Sequence, residues 1–208
     1  MTAPTTWIAV FAGVLAVSGF GWAAEGEFVP LFDGKTLKGW LALPGGTWTV
    51  KEGAIVGTSG KEEKRHGLLL TEKTYGDFTL RLKFRVVKGN SGLYFRSERV
   101  EQAVGVHGFQ AEIANDPNVG GLYETGGRLW VAQPNAELIK ECYKPGEWNE
   151  MVVSAHGRHI VVQLNGKTTA ELPDDPGRLK GHFAVQLHGG QDMEVLFKDI
   201  AIRTEGDA

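Results

Sequence analysis

The sequence predicts an all-β sandwich, and three observations carry that prediction. Apolar and polar residues alternate with period two along most of the chain, the spacing of a half-buried strand. Twenty-nine glycines against three methionines among 208 residues suit many strands joined by tight turns. Helix-period patterns are scarce, and only Asn135–Glu141 suggests one short helical turn.

The elements follow in chain order. Trp7–Ser18 is the only sustained apolar run, and Gly19–Ala24 behind it are mostly small. That pair reads as a signal peptide over residues 1–24, cut after Ala23 or Ala24, although no Lys or Arg precedes Lys35. The expected product is an exported protein, periplasmic or extracellular, with no stable membrane insertion after cleavage. Residues 25–208 then form one domain, with no internal repeat and no linker rich in Pro or Ser. Lys61–His66 is the densest charge run and reads as a solvated loop between Val56 and Leu68. Phe78, Leu80, Leu82, Phe84 and Val86 point one way, while Thr79, Arg81, Lys83 and Arg85 point the other. Leu93 and Phe95 alternate with Tyr94 and Arg96, and Phe109, Ala111 and Ile113 with Gln110 and Glu112. Strands continue through Val152–His156 and Ile160–Leu164, turn at Asn165-Gly166, and resume over Thr168–Leu172, His182–His188 and Met193–Arg203. Asn-Gly is a strong hairpin signal because both residues tolerate positive φ.

Composition excludes several function classes. The formal charge of -3 leaves no basic footprint, so nucleic acid is not an expected partner. Cys142 is the only cysteine, which rules out an intramolecular disulfide and any cysteine-based metal or redox site. No His-x-x-x-His spacing marks a transition-metal cage. A divalent ion held by Glu112, Asp116 or loop carbonyls stays open as a cofactor.

Candidate chemistry comes from the polar faces of three strands. Gln110 and Glu112 are two residues apart, so both emerge on one face. Tyr94 and Arg96 do the same on the strand before, and Gln186 and His188 near the end. Antiparallel sheets routinely face water with polar residues, so alternation alone does not make a site. If these faces share one sheet, however, a carboxylate, an imidazole, a cation and two amides converge. Such a set supplies planar polar groups for sugar hydroxyls and titratable groups for proton transfer. Among the aromatics that could stack on sugar, Trp40, Trp48, Tyr94, Tyr123 and Trp130, we expect Tyr94 and Tyr123 to be the ligand contacts. Trp48 and Trp148 are expected in the core, and His66 and His107 are possible rim residues.

Eight short motifs stand in order along the chain. They are LFDGKTLKGW at Leu31–Trp40, GNSGLYFR at Gly89–Arg96, GFQAEI at Gly108–Ile113, GGLY at Gly120–Tyr123, GEWN at Gly146–Asn149, LNG at Leu164–Gly166, QLHG at Gln186–Gly189 and FKDI at Phe197–Ile200. The series resembles the 3-keto-disaccharide hydrolase family from about Phe28 to Arg203. The resemblance implies a jelly-roll β-sandwich of the concanavalin-lectin or glucanase type, with a concave sheet that holds sugar. It further implies an enzyme acting on glycosides already oxidised at C3. In many relatives the third motif reads Gly-aromatic-Glu-x-Gln-Ile; here acid and amide are exchanged, moving the carboxylate about 6–7 Å along the strand.

A ketone at C3 acidifies the hydrogen at C2, so a modest base can form an enediolate and expel the glycosidic oxygen at C1. Water can later add back. Glu112 and His188 are the expected base and acid, in an order the sequence leaves open, and Arg96 is expected to stabilise the oxyanion. Gln110, Tyr94, Tyr123, Glu124 and Gln186 are the expected sugar contacts. Direct glycoside hydrolysis needs a close acidic pair that the sequence does not show. The rival reading is a carbohydrate-binding, lectin-like module without catalysis.

Overall fold

The computed structural model describes residues 26–204. The expected signal peptide, residues 1–24, lies outside the described residues. Short strands β1 (Val29–Pro30) and β2 (Trp40–Ala42) lead into β3 (Thr47–Lys51), β4 (Ala54–Ser59) and β5 (Gly67–Thr71). The long strands β6 (Phe78–Lys88), β7 (Asn90–Arg99) and β8 (Val106–Ala114) follow. After β9 (Leu122–Thr125) and β10 (Leu129–Ala132) comes the helix α1 (Ala136–Cys142). The chain closes with β11 (Asn149–His156), β12 (His159–Leu164), β13 (Lys167–Leu172), β14 (His182–Leu187) and β15 (Met193–Thr204). The Asn135 carboxamide oxygen caps α1 by accepting the Glu137 and Leu138 N–H groups.

These strands make two antiparallel sheets packed face to face, the all-β sandwich the pattern predicts. One runs β13-β12-β11-β6-β15-β4-β3 with β1 added beside β15; the other runs β10-β9-β8-β7-β14-β5-β2. Consecutive strands β6 and β7 belong to different sheets, and only Gly89 joins them. Gly89 has φ +88°, and a Cβ there would lie 2.1 Å from the Met193 sulfur and 2.9 Å from the Asp192 carbonyl. The corner therefore requires glycine both for its dihedral and for its closeness to the neighbouring loop.

The alternating apolar residues meet between the sheets. Phe78, Leu80, Leu82 and Phe84 of β6 and Met151, Val153 and Ala155 of β11 face Leu93, Phe95, Phe109, Ala111 and Val185 of the second sheet in one cluster. Close packing on this inner side fixes the direction of every residue on the outer side, since a one-residue slip would invert both. On the outer face of the second sheet a smaller cluster, Leu68, Leu70, Tyr94, Val106 and Ala184 with Leu43, forms its own apolar bed.

Two sequence expectations fail here for physical reasons. The pairing of β7 with β8 shifts register between Phe95 and Glu98, and its pairing with β14 is irregular opposite the same stretch. Arg96 sits in that bulge with φ +47°, so it leaves the polar face that alternation assigns to it. Its guanidinium is buried at one end of the sandwich. It donates to Asp77 Oδ1 at 3.0 Å and to the carbonyls of Gly157 at 2.8 Å, Ala155 at 3.2 Å, and Gly76 and Arg178 at 3.3 Å. Trp148 is also out of the core: it is half-buried on the far sheet, beneath the Arg85 and Lys198 cations. Among the described residues no helix is long and apolar enough to cross a membrane.

Arg96→Leu tests this structural assignment. The change removes the donor from four carbonyls and from the exposed Asp77 carboxylate, and each buried acceptor left unsatisfied costs about 1–3 kcal/mol. Urea denaturation should show a loss of that order. The fraction that remains folded should retain its sugar affinity; selective loss of affinity with unchanged stability would return Arg96 to the site.

Candidate active site

The outer face of the second sheet carries a row of aligned positions. Tyr94 on β7 pairs with Gln110 on β8, and Gln110 pairs with Tyr123 on β9. Glu112 stands two residues along, opposite Gly92. A Cβ on Gly92 would lie 2.4 Å from Gln110 Nε2, so this glycine makes the space in which the Gln110 amide lies. From there Gln110 Nε2 donates to Glu112 Oε2 at 2.9 Å and reaches Gln186 Oε1 at 3.5 Å. The other Glu112 oxygen, Oε1, accepts a short bond from Asn90 Nδ2.

Loops supply the remaining groups. His66 closes the Lys61–His66 segment, and its backbone N–H is held by the Ala103 carbonyl at 2.8 Å. His188 begins the segment after β14, with its backbone N–H on the Asn90 carbonyl at 3.3 Å. The two segments dock closely: Gly190 N–H donates to the Glu63 carbonyl, and a Cβ on Gly189 would lie 2.3 Å from the Lys64 carbonyl oxygen. This contact brings the His66 and His188 rings edge to face, 4.4 Å between centroids. Trp130 of β10 stands edge-on to Tyr123 at 5.3 Å and forms an aromatic wall.

Together these side chains, with Thr125 and Val104, line an open cavity of about 300 Å³. Its hydrogen bonds run in one direction. Gln186 Nε2 donates to His66 Nδ1 at 3.0 Å and to the Tyr94 hydroxyl at 3.2 Å, and that hydroxyl meets Thr125 Oγ1 at 3.0 Å. Since Nδ1 accepts, neutral His66 carries its proton on Nε2. His188 is the opposite tautomer: Nδ1–H donates to the Gly189 carbonyl at 2.8 Å, which leaves Nε2 bare. The Gln110 amide N–H groups go to Glu112 and Gln186 and one Asn90 N–H goes to Glu112, and the two amide carbonyl oxygens are acceptors that a ligand could use.

Burial sets the charge states. It pushes the Glu112 carboxyl up to about 7, with the Asp116 charge adding to the rise and the Asn90 and Gln110 hydrogen bonds opposing it. Burial, with the nearby His188, pushes His66 down to about 4 and so keeps it neutral. The Tyr94 phenol is raised by burial and stays protonated.

Of the residues the sequence singled out, Glu112, His188, Gln110, Tyr94, Tyr123 and Gln186 line this cavity, and Arg96 and Glu124 do not. Glu124 pairs in register with inward-facing Phe109, so it points to the opposite side from Tyr123 and binds Arg128. Arg128 in turn holds buried Asp175 through two bonds of 2.9 Å. Asn90, Thr125 and Trp130 are cavity residues that the expected contacts omitted. The Gly-Asn-Ser-Gly motif already contained the Asn90 signal, but a residue at a sheet-to-sheet corner has no alternation to read. Both Glu112 oxygens accept amide N–H groups, and Asp116 Oδ1 accepts the Asn118 N–H at 2.7 Å. Among the described residues no three His, Cys, Asp or Glu side chains form a group that could hold a metal.

The raised Glu112 pKa makes a signed prediction about stability. A carboxyl that titrates at about 7 when folded and near 4.5 when unfolded holds its proton more tightly in the native state. Its contribution is present below pH 4.5 and is lost as pH rises through 7, a change of about 3 kcal/mol. Glu112→Gln removes that titration. Urea denaturation of both proteins should therefore show the variant gaining about 3 kcal/mol on the parent between pH 4.5 and pH 8. A pH-independent difference would mean that Glu112 is not displaced from its ordinary range.

Comparison with known proteins places this arrangement. No curated protein matches the chain. Solved structures do. A protein from Parabacteroides distasonis ATCC 8503, provisionally called a glycosyl hydrolase, is 26% identical over 86% of this chain and 100% of its own, with a TM-score of 0.64. The carbohydrate-binding module CBM66 from Bacillus subtilis is 17% identical over 80% of this chain and 96% of its own, at a TM-score of 0.63. A Bacillus subtilis protein of unknown function with a galectin-like fold reaches 0.67 at 13% identity, over 86% and 97%. These likenesses identify the jelly-roll sandwich as lectin-like. Residues 27–203 match the model of the 3-keto-alpha-glucoside-1,2-lyase-like domain, and the chain belongs to that family.

Proposed function

We propose that the protein cleaves 3-keto glycosides by elimination, with Glu112 as the base at C2. The observation that carries this reading is a carboxyl poised near neutrality in the wall of an open cavity. A base with a pKa near the working pH combines a sizeable ionised fraction with useful proton affinity. Glu112 takes the C2 proton, and the C–H electron pair forms an enediolate whose charge rests on the C3 oxygen. As the C3 carbonyl re-forms, the C1–C2 double bond is made and the C1–oxygen bond breaks. Glu112, now carrying that proton, passes it to the departing oxygen, and His188, with Nδ1–H on the Gly189 carbonyl, offers Nε2 as an acceptor to a sugar hydroxyl. Water added across C1–C2 then completes a net hydrolysis.

With Arg96 elsewhere, neutral donors meet the developing charge. The cavity lining contains no Lys or Arg among the described residues. The Nε2–H of neutral His66 and the Tyr94 hydroxyl are the donors at hand, in a partly dry site where fixed dipoles act strongly. Trp130 and Tyr123 offer apolar faces to the sugar ring. Export is part of the same proposal, on the apolar run ahead of Ala24.

Purified protein should convert a 3-keto glucoside and leave the unoxidised parent untouched, with solvent deuterium entering at C2. The rate should rise with pH through about 7 as Glu112 ionises. Glu112→Gln should cost about 10²–10⁴-fold and abolish that limb. Equal affinity for both sugars with turnover of neither would favour a non-catalytic binding module. Separately, amino-terminal sequencing of the protein from its native host should return Ala24 or Glu25; an intact Met1 would remove the export proposal.

A further inference from the structure

The hydrogen bonds of the cavity form a chain whose sense is set at one end. An ionised carboxylate only accepts, so Glu112 Oε2 requires Gln110 to present Nε2, at 2.9 Å. The second N–H of that nitrogen is directed at Gln186 Oε1, 3.5 Å away. Gln186 then has its own Nε2 at the far end, 3.0 Å from His66 Nδ1 and 3.2 Å from the Tyr94 hydroxyl. Turning over the Gln186 amide would set its NH₂ group against that of Gln110, donor against donor. Turning over both amides would set the Gln110 oxygen against the carboxylate. Two amides therefore carry the acceptor character of Glu112 across to the imidazole.

Gln186 is built to hold that sense. It is buried, it pairs with Leu68 of β5, and its backbone carbonyl accepts the Ser91 hydroxyl at 2.7 Å. The His66 backbone is held by Ala103, and its ring lies against His188. Of the two His66 ring nitrogens, Nε2 has no partner among the described residues and is not sealed from solvent. We propose that Gln186 is a positioning residue: it locks His66 as the Nε2–H tautomer, and that N–H meets the C3 oxygen of the enediolate. The part played by the N–H rests on the elimination reading above; the tautomer does not. Gln186 acts through His66, since both of its own amide hydrogens are spent within the protein. A donor fixed before charge develops needs no reorganisation when the charge appears.

Nitrogen-15 NMR of histidine-labelled protein at about pH 8.5, above the usual imidazole range, reads the tautomer directly. A His66→Phe variant identifies the signal. The parent should show His66 protonated on Nε2; protonation on Nδ1 overturns the proposal, whether or not any variant folds. Gln186→Glu keeps the shape of the side chain and makes it an acceptor, so the spectrum should switch to Nδ1–H. On a 3-keto glucoside its kcat should fall about 10²–10³-fold, the typical cost of one oxyanion donor, with KM changed far less. A new charge acting through Glu112 instead would slow the His66→Phe protein equally. In that background Gln186→Glu should cost about threefold or less, and an undiminished loss overturns the role of Gln186. If the parent turns over no 3-keto glycoside, the elimination reading falls and takes the catalytic role with it, while the spectrum still decides the tautomer.

Discussion

The six residues Asn90–Phe95 run between two backbone irregularities, the left-handed Gly89 and the bulge at Arg96, and the placement of Asn90, Gly92 and Tyr94 follows from both. At one end, Gly89 turns the chain from one sheet to the other in a single residue. At the other end, the bulge is wedged between glycines. A Cβ on Gly108 would lie 2.6 Å from the Ser97 Cα, and one on Gly181 would lie 2.3 Å from the Arg96 carbonyl carbon. The Arg96 guanidinium then ties this point to the segments before β6, between β11 and β12, and before β14. A charge buried this deeply is tolerated only when its hydrogen-bonding capacity is met, and here five N–H contacts meet it.

Between those fixed ends the inner face does the positioning. Leu93, Phe95, Phe109 and Ala111 are locked into the core, so Tyr94, Gln110 and Glu112 have only one direction left to take. Burying Glu112 costs the native state stability at neutral pH, and the same burial brings its carboxyl to a useful range. The two amide N–H bonds keep that cost bounded by favouring the ionised form. Fold stability and proton affinity are thus set by one balance at one residue.

The period-two pattern made most of this legible. It placed the core residues of β6 and β8 and grouped Gln110 with Glu112, because strand geometry follows directly from alternation. It failed where geometry departs from the regular strand. Arg96 has the right spacing from Tyr94, but its positive φ turns it out of the row. Glu124 sits beside Tyr123 in sequence and so opposite to it in space, paired with Phe109. His66 comes from a loop with no period to read; it reaches the cavity only because Gly189 and Gly190 let two loops meet closely. Trp148 reads as core by motif, yet it lies half-buried beneath the Arg85 and Lys198 cations.

The absence of Lys and Arg from the cavity lining, among the described residues, has a bearing on turnover. Fixed cations attract an anion whether it is transient or permanent. Amide, imidazole and phenol dipoles hold a neutral sugar by hydrogen bonds alone and respond strongly only while charge is present. A ligand that is uncharged on arrival and on departure then meets no lasting electrostatic trap. Under the proposed reaction its binding would be insensitive to salt, and its release would be governed by the few contacts that Trp130, Tyr123 and the amide carbonyls of the lining can make.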